Sequence, residues 1–163
     1  MASRYKGPLK AFRIAQASFP LFDGTGAALS GARWNAKGQR VIYAAESYAT
    51  ALLEILVHSN LGRVPARFAF IEIHIPAEVE IEEITPEDLP RWDALDCRES
   101  PSFGSRWYTE MRSAVLVVPS VAATARERNV LINQEHPQFP SITASVPRPM
   151  HWDPRLFRRQ PPK

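Results

Sequence analysis

The order of strand-like and helix-like segments most constrains what this chain can fold into. RFAFIEIHI, residues 67–75, alternates large apolar residues with polar ones over enough length to predict a strand, and Pro76 ends it. VIYAA at 41–45 and AVLVVPS at 114–120 read as buried strands, the latter central and running into a turn at Pro119. Because strands and helices do not alternate regularly, a doubly wound parallel sheet is disfavoured. We expect a mixed α+β domain.

The other predicted elements follow from local signals. Ser47 is placed to cap a helix from Tyr48 to His58. Two shorter helices are expected, one behind Thr85 with Pro86 at its first position and one around 102–113. Further strands are predicted at 10–15, 79–84 and from 129 onward, and residues 19–35 as a long, structured loop. The inward face of the Tyr48 helix is predicted to carry Leu52, Ile55, Leu56 and Ser59.

Composition limits the classes of protein. With 163 residues, 45% hydrophobic and 23% charged, the chain matches one compact domain, 1–163. It shows no apolar run long enough for a membrane span and no secretory signal, so we expect a cytoplasmic protein without membrane contact. The single cysteine, Cys97, cannot form an internal disulfide, and no histidine lies near it in sequence to activate it as a nucleophile.

The charge pattern argues against nucleic-acid binding as the main function. The formal net charge is +3, and part of the excess lies in a basic, proline-containing C-terminal segment that ends in a tail at 158–163. Acidic residues cluster as strongly at 78–96, whereas a nucleic-acid surface needs a basic stripe with interleaved aromatics. The tail is read as solvated, with contact to an acidic partner or a phosphate as the alternative.

Several residues between 24 and 58 could carry chemistry. Backbone N–H groups of Gly24, Gly26 and Gly31 could approach phosphate oxygens, although the segment lacks a full dinucleotide or P-loop pattern. Glu54 lies among apolar neighbours on the face of the predicted helix that also carries Thr50 and His58. The spacing leaves open whether Glu54 is a rim residue facing water or a carboxylate held in a cleft. A metal site is not expected, because further ligands are not visible.

Arg33 and Tyr43 precede this helix, at a loop-to-strand junction and at a strand end respectively. An arginine can bind phosphate oxygens bidentately, a tyrosine can stack on a flat ring, and a glutamate can stabilise developing positive charge. Together they suit a ligand with a diphosphate and an aromatic leaving group. For each residue alone, a surface ion pair or a core packing role is the alternative.

The motifs FRIA, G-x-RWN-x-x-G, V-I-Y, A-x-x-E-x-L-V-H, VVPSV, RNVLINQEHPQF and WDPRLF, in this order, resemble the RES domain family over residues 10–157. Arg33, Glu54 and Ser120 match the residues that name the family, and Tyr43 matches its usual tyrosine. Ala32 is a departure, since the family commonly has a second glycine there.

The resemblance implies a bacterial toxin of a type II toxin–antitoxin pair, with a mixed, mostly antiparallel sheet flanked by helices as in ADP-ribosyltransferase toxins. It implies cleavage of NAD+ at the nicotinamide glycosidic bond, with no metal, and an Xre-like antitoxin that covers the cleft. Transfer of ADP-ribose to a protein is the preferred expectation. NAD+ hydrolysis or phosphorolysis, a non-catalytic nucleotide-binding module and an RNA-directed growth inhibitor are the alternatives.

Within that framework each candidate residue has an expected role. Glu54 offsets charge on the ribose or activates the acceptor. Arg33 is assigned to the diphosphate or the ribose, Arg13 to the phosphates with Gly31 close by, and Tyr43 to the nicotinamide. Ser120 is expected at the cleft as a hydrogen-bond donor to Glu54 or to ribose, and His58 to contact substrate or orient Glu54. The remaining two polar residues of interest, Asn129 and Asn133, are expected to be structural.

Overall fold

A computed structural model describes residues 1–58, 67–96 and 98–157. Ser59, Cys97 and the basic tail at 158–163 lie outside the described residues. The described part contains three α-helices, Thr25–Ser30 (α1), Tyr48–His58 (α2) and Glu99–Thr109 (α3). Its strands are Ser3–Lys6 (β1), Leu9–Gln16 (β2), Val41–Ala45 (β3), Phe68–Ile75 (β4), Glu80–Glu83 (β5), Val115–Pro119 (β6), Arg128–Asn133 (β7), Thr143–Ala144 (β8) and Arg148–Pro149 (β9).

All strands join one sheet in the order β1-β5-β6-β7-β3-β2-β4-β8, and β9 also pairs with β4. Only β5 and β6 run parallel among the described strands. The other ladders are antiparallel. The predicted α+β class with a mostly antiparallel sheet is therefore confirmed.

The central strands are buried on both faces, which explains why β6 and β7 read as continuous apolar runs rather than alternating ones. Ile42, Val117 and Ile132 are almost fully buried in one core layer. Leu116 and Leu131 belong to a second layer on the opposite face, where the side chains of α3 pack. Because both faces are covered, the functional groups of these strands can lie only where a strand ends or the sheet opens.

Two expectations about local structure were wrong, and one strand was not predicted. Residues 85–88 form a turn instead of a helix: the Thr85 N–H is accepted by Asp88 Oδ2 at 2.9 Å, but Pro90 disfavours helical backbone at the preceding residue. The expected loop at 19–35 contains α1. The strand β1 was missed because all its residues are exposed and carry no apolar alternation.

None of the helices in the described residues has the length and apolarity of a membrane span.

Candidate active site

The sheet opens between its neighbouring strands β2 and β3. Along its whole length β2 pairs with β4, but its register with β3 is limited to Phe12 opposite Ala45. Beyond that pair the guanidinium of Arg13 takes the place of a backbone partner, donating from Nη1 to the Tyr43 carbonyl at 2.7 Å. The opening therefore carries a buried cation where a continuous sheet would have a ladder hydrogen bond.

A cavity of about 710 Å³ lies at this opening. Its volume is within the range of roughly 300–1,000 Å³ that is usual for small-molecule sites. The wall combines strands β2 and β3, the loop after α1, the helix α2 and the segment after β6. The lining residues are 12–14, 31–34, 43–45, Ala51, Glu54, Ile55, Val57, His58, Pro119, Val121, Ala122 and Asn129.

The carboxylate of Glu54 is held within this cavity. The helix α2 begins as predicted, with the Thr50 N–H donating to Ser47 Oγ at 3.1 Å. One helical turn later Glu54 Oε1 accepts hydrogen bonds from Ser120 Oγ and from Asn129 Nδ2, each at 2.7 Å. Of the two open alternatives, the structure places Glu54 in a cleft, with one oxygen fixed by two donors.

The second oxygen of Glu54 faces a looser environment. His58 Nε2 lies 4.0 Å from Glu54 Oε2, too far for a hydrogen bond, and the His58 side chain is 79% exposed. The structure thus brings His58 to the cavity wall but does not show it orienting the glutamate. Oε2 is the oxygen that is left to meet a ligand.

Ser120 donates to Glu54 as expected but does not line the cavity, and Asn129 departs from its expected structural role. Ser120 is completely buried and stands behind Glu54 rather than on the cavity wall; its Oγ also accepts the Ala123 N–H at 3.1 Å. Asn129 was expected to be structural, yet it lies on the wall and holds Glu54. No sequence signal distinguishes it from Asn133, which does support the backbone by donating to the Tyr108 carbonyl at 3.2 Å. The pairing of β7 with β3, which sets Asn129 opposite Ala45, is what places it in the site.

Two residues that line the cavity, Arg13 and Asn129, each have a side-chain polar atom without a partner in the described part of the chain. Arg13 Nε and Asn129 Oδ1 are buried and have no hydrogen-bond partner among the described residues. Burial lowers the pKa of Arg13, and the nearby charge of Asp23 partly offsets this effect. Buried polar groups normally find partners, so each of these two atoms has a hydrogen-bonding capacity that the described residues do not use.

Arg33 reaches the cavity from the loop after α1. Its Nη1 donates to the Trp92 carbonyl at 3.1 Å, with the Ala94 carbonyl 3.5 Å away. Within the described residues these contacts use Nη1 alone, so the rest of the guanidinium remains for a ligand. The expected position of Arg33 beside Glu54 and Tyr43 is therefore present.

Tyr43 lines the cavity, and its hydroxyl is fixed by two hydrogen bonds to the loop after α1. The hydroxyl accepts the Trp34 N–H at 3.0 Å and donates to Asn35 Oδ1 at 2.8 Å. Burial raises the pKa of Tyr43 well above its usual range, so the hydroxyl stays protonated. This arrangement suits stacking by the ring and excludes the hydroxyl as an acid or base in the cavity.

The glycines of the same loop do not form a phosphate cradle. The Gly24 N–H donates to Gln134 Oε1 at 2.7 Å, and the Gly31 N–H donates to the Ala27 carbonyl at 2.8 Å, which ends α1. Gly31 lies on the cavity wall with φ of 71°, a conformation that favours glycine. Its contribution is therefore the shape of the turn that leads to Arg33.

A scan against protein-family models matches the RES domain over residues 10–153. The chain belongs to the RES domain family. Over 141 residues it is 44% identical to the Prs ADP-ribosylating toxin of Sphingobium sp. (strain YBL2), covering 84% of this chain and 87% of the relative. It is 35% identical to a protein named Toxin Res from Yersinia enterocolitica, covering 83% and 90% respectively. The identification from sequence motifs is thus confirmed.

Among solved structures, the RES domain described here is similar to the crystal structure of the M. tuberculosis MbcT–MbcA toxin–antitoxin complex. The match has a TM-score of 0.75 and covers 94% of this chain and 89% of that one, at 14% sequence identity. At this identity the likeness concerns the fold. It supports the arrangement of sheet and helices that forms the cavity.

Proposed function

We propose that this RES domain protein is the toxin of a type II toxin–antitoxin pair and that it cleaves NAD+ at the nicotinamide glycosidic bond, passing ADP-ribose to a protein. Membership of the RES family and relatives that are named toxins, one of them ADP-ribosylating, support the proposal. The observation that carries it is the carboxylate of Glu54, fixed by two donors on one oxygen and open to the cavity on the other.

The chemistry requires a negative charge beside the ribose. When the bond from ribose C1′ to the nicotinamide nitrogen breaks, its electron pair leaves with nicotinamide, which becomes neutral, and positive charge develops on the ribose. Glu54 Oε2 is proposed to stabilise that charge and to receive the proton that the acceptor loses as its lone pair bonds to C1′. Because Ser120 and Asn129 already hold Oε1, little reorganisation is needed during the step.

The remaining groups are assigned to binding. The ring of Tyr43 is proposed to stack on nicotinamide, since its hydroxyl is already engaged by Trp34 and Asn35. Arg13, with its unpaired Nε, and Arg33 are proposed to bind the diphosphate. Both are fixed by backbone carbonyls, so only part of each guanidinium remains for the ligand. His58 is proposed to contact the substrate or the acceptor at the mouth.

A protein acceptor is preferred because a relative that is 44% identical is named an ADP-ribosylating toxin. Val57 and Val121 line the cavity and remain 60% and 40% exposed, so the mouth offers apolar surface to a docking partner. The same mouth is proposed to be where an Xre-like antitoxin covers the site and prevents NAD+ from entering.

The deciding experiment uses NAD+ labelled in the adenylate phosphate, incubated with the purified protein in buffer, in phosphate and in a bacterial lysate. We expect nicotinamide release and a labelled protein band in the lysate, both abolished in Glu54→Gln. Free labelled ADP-ribose without a labelled band would mean a glycohydrolase, and ADP-ribose 1-phosphate formed only in phosphate would mean a phosphorylase. Unchanged NAD+ in all three mixtures would contradict catalysis and leave a nucleotide-binding module.

A further inference from the structure

We infer that α3 and Trp92 form a positioning device for Arg33, in which Gly104 and Ser100 set the geometry of the guanidinium without touching the ligand. The inference rests on the proposed role of Arg33 in binding the diphosphate of NAD+. Neither Gly104, Ser100 nor Trp92 lines the cavity. Their effect on ligand binding must therefore pass through Arg33.

The first link is the Trp92 carbonyl, which accepts the Arg33 Nη1 hydrogen bond at 3.1 Å. The same oxygen accepts a short hydrogen bond from the hydroxyl of Ser100, which is completely buried in the first turn of α3. This carbonyl therefore has two donors, one from the ligand-binding arginine and one from the helix. Movement of α3 relative to Trp92 would release or displace Arg33.

The second link is the pair of tryptophans that flanks this carbonyl. Trp92 stacks on Trp34, with ring centroids 6.4 Å apart and an angle of 17° between the planes. Both are at least nine-tenths buried, and Trp34 directly follows Arg33 in the chain. This stacking joins the segment that carries Arg33 to the segment whose Trp92 carbonyl accepts the Arg33 hydrogen bond.

The third link is the direct contact between α3 and the backbone of Trp34. A Cβ atom at Gly104 would lie 1.9 Å from the Trp34 carbonyl oxygen and 2.7 Å from its carbonyl carbon. No side chain fits at this distance unless the backbone next to Arg33 moves. Glycine is intrinsically unfavourable inside a helix, and the close contact with the Trp34 backbone explains why it occurs at position 104.

The fourth link extends the device to the end of the arginine loop. Ser105 Oγ donates to Gln39 Oε1 at 3.0 Å, and the Tyr108 hydroxyl accepts the Arg40 N–H at 3.2 Å. Two successive turns of α3, through Gly104, Ser105 and Tyr108, therefore contact residues 34–40.

The test is the affinity for ADP-ribose, which carries the diphosphate but no nicotinamide bond to cleave. Gly104→Ala is expected to raise the Kd by a factor of about ten to one hundred, the range for one charge-assisted hydrogen bond. In an Arg33→Ala background the same substitution is expected to leave the Kd unchanged, because Gly104 affects the ligand only through the position of Arg33. Gly26→Ala is the matched control, since a Cβ there meets nothing within 4 Å in the helix α1.

Ser100→Ala keeps the proposal testable if Gly104→Ala does not fold, because it removes one buried hydroxyl and adds no bulk. It is expected to weaken ADP-ribose binding in the wild-type background alone. Thermal unfolding of every variant separates lost stability from lost binding. Two results would overturn the positioning inference alone. In the first, wild type binds ADP-ribose and the variants bind it with unchanged Kd. In the second, the substitutions weaken binding equally with and without Arg33. A wild type that does not bind ADP-ribose overturns the diphosphate role of Arg33 as well.

Discussion

Ser120→Ala separates the positioning of Glu54 from contact with the substrate. The substitution removes a completely buried hydroxyl that donates to Glu54 Oε1 at 2.7 Å and accepts the Ala123 N–H. Glu54 keeps its bond from Asn129, so one of two donors is lost. A hydrogen bond to a charged group contributes about 1.5–3 kcal/mol, which corresponds to a roughly ten- to hundredfold lower kcat if the carboxylate must be held in place. KM is expected to change little, because Ser120 does not line the cavity.

The matched control for this variant is Ser113→Ala. Ser113 is also buried, and its hydroxyl accepts Trp107 Nε1 at 2.8 Å and donates to the Val115 carbonyl at 2.7 Å. Its loss should lower the free energy of unfolding by about 1–3 kcal/mol, as for Ser120→Ala, and leave kcat unchanged. Nicotinamide release is measured over a range of NAD+ concentrations for both variants, with urea unfolding alongside. Equal kcat values for the two variants would refute the positioning role of Ser120.

Three further outcomes follow from the contacts described above. Arg13→Met should raise KM for NAD+ about tenfold or more with a smaller change in kcat; a kcat loss at constant KM would contradict the phosphate role. Tyr43→Phe should lower the free energy of unfolding by about 1–3 kcal/mol, since the Trp34 N–H loses its acceptor, yet keep most activity because the ring remains; activity as low as in Tyr43→Ala would contradict stacking by the ring. Burial alone would raise the pKa of Asp23, but hydrogen bonds, among them one from Arg40, hold it at about 2 against 3.8, so its stabilising contribution is complete above about pH 4 and is lost as the pH falls towards 2. Asp23→Asn should therefore unfold more easily than wild type at pH 7, and urea titrations should show that difference shrinking between about pH 4 and pH 2.

The sequence was sufficient to predict the cavity residues that lie close together along the chain. Arg33, Tyr43, Glu54 and His58 all line the cavity, because β3 and α2 follow one another directly and present successive side chains to the same opening. The helix α2 and its Ser47 cap were predictable from local signals alone. Arg13, on the neighbouring strand, was placed only through the family resemblance.

Groups that depend on strand order were not predictable. Asn129 contacts Glu54 because β7 pairs with β3, and nothing in the segment NVLIN predicts that pairing. The contact of Gly104 with Trp34 joins segments that are distant in sequence, and a lone glycine in a helical pattern has several explanations. The unpaired Nε of Arg13 is likewise visible only once the opening between β2 and β3 is known.

The central claim is that Glu54 carries the bond-breaking step, and the most direct measurement is nicotinamide release by wild type and Glu54→Gln. Glutamine keeps the shape and can accept the hydrogen bonds of Ser120 and Asn129 with its amide oxygen, but it presents a neutral NH₂ group where Oε2 faced the cavity. The account predicts that kcat falls by about 10²–10⁴, the range for losing a general acid–base group, while ADP-ribose still binds and the unfolding midpoint stays close to that of wild type. A folded Glu54→Gln variant that releases nicotinamide at the wild-type rate would contradict it.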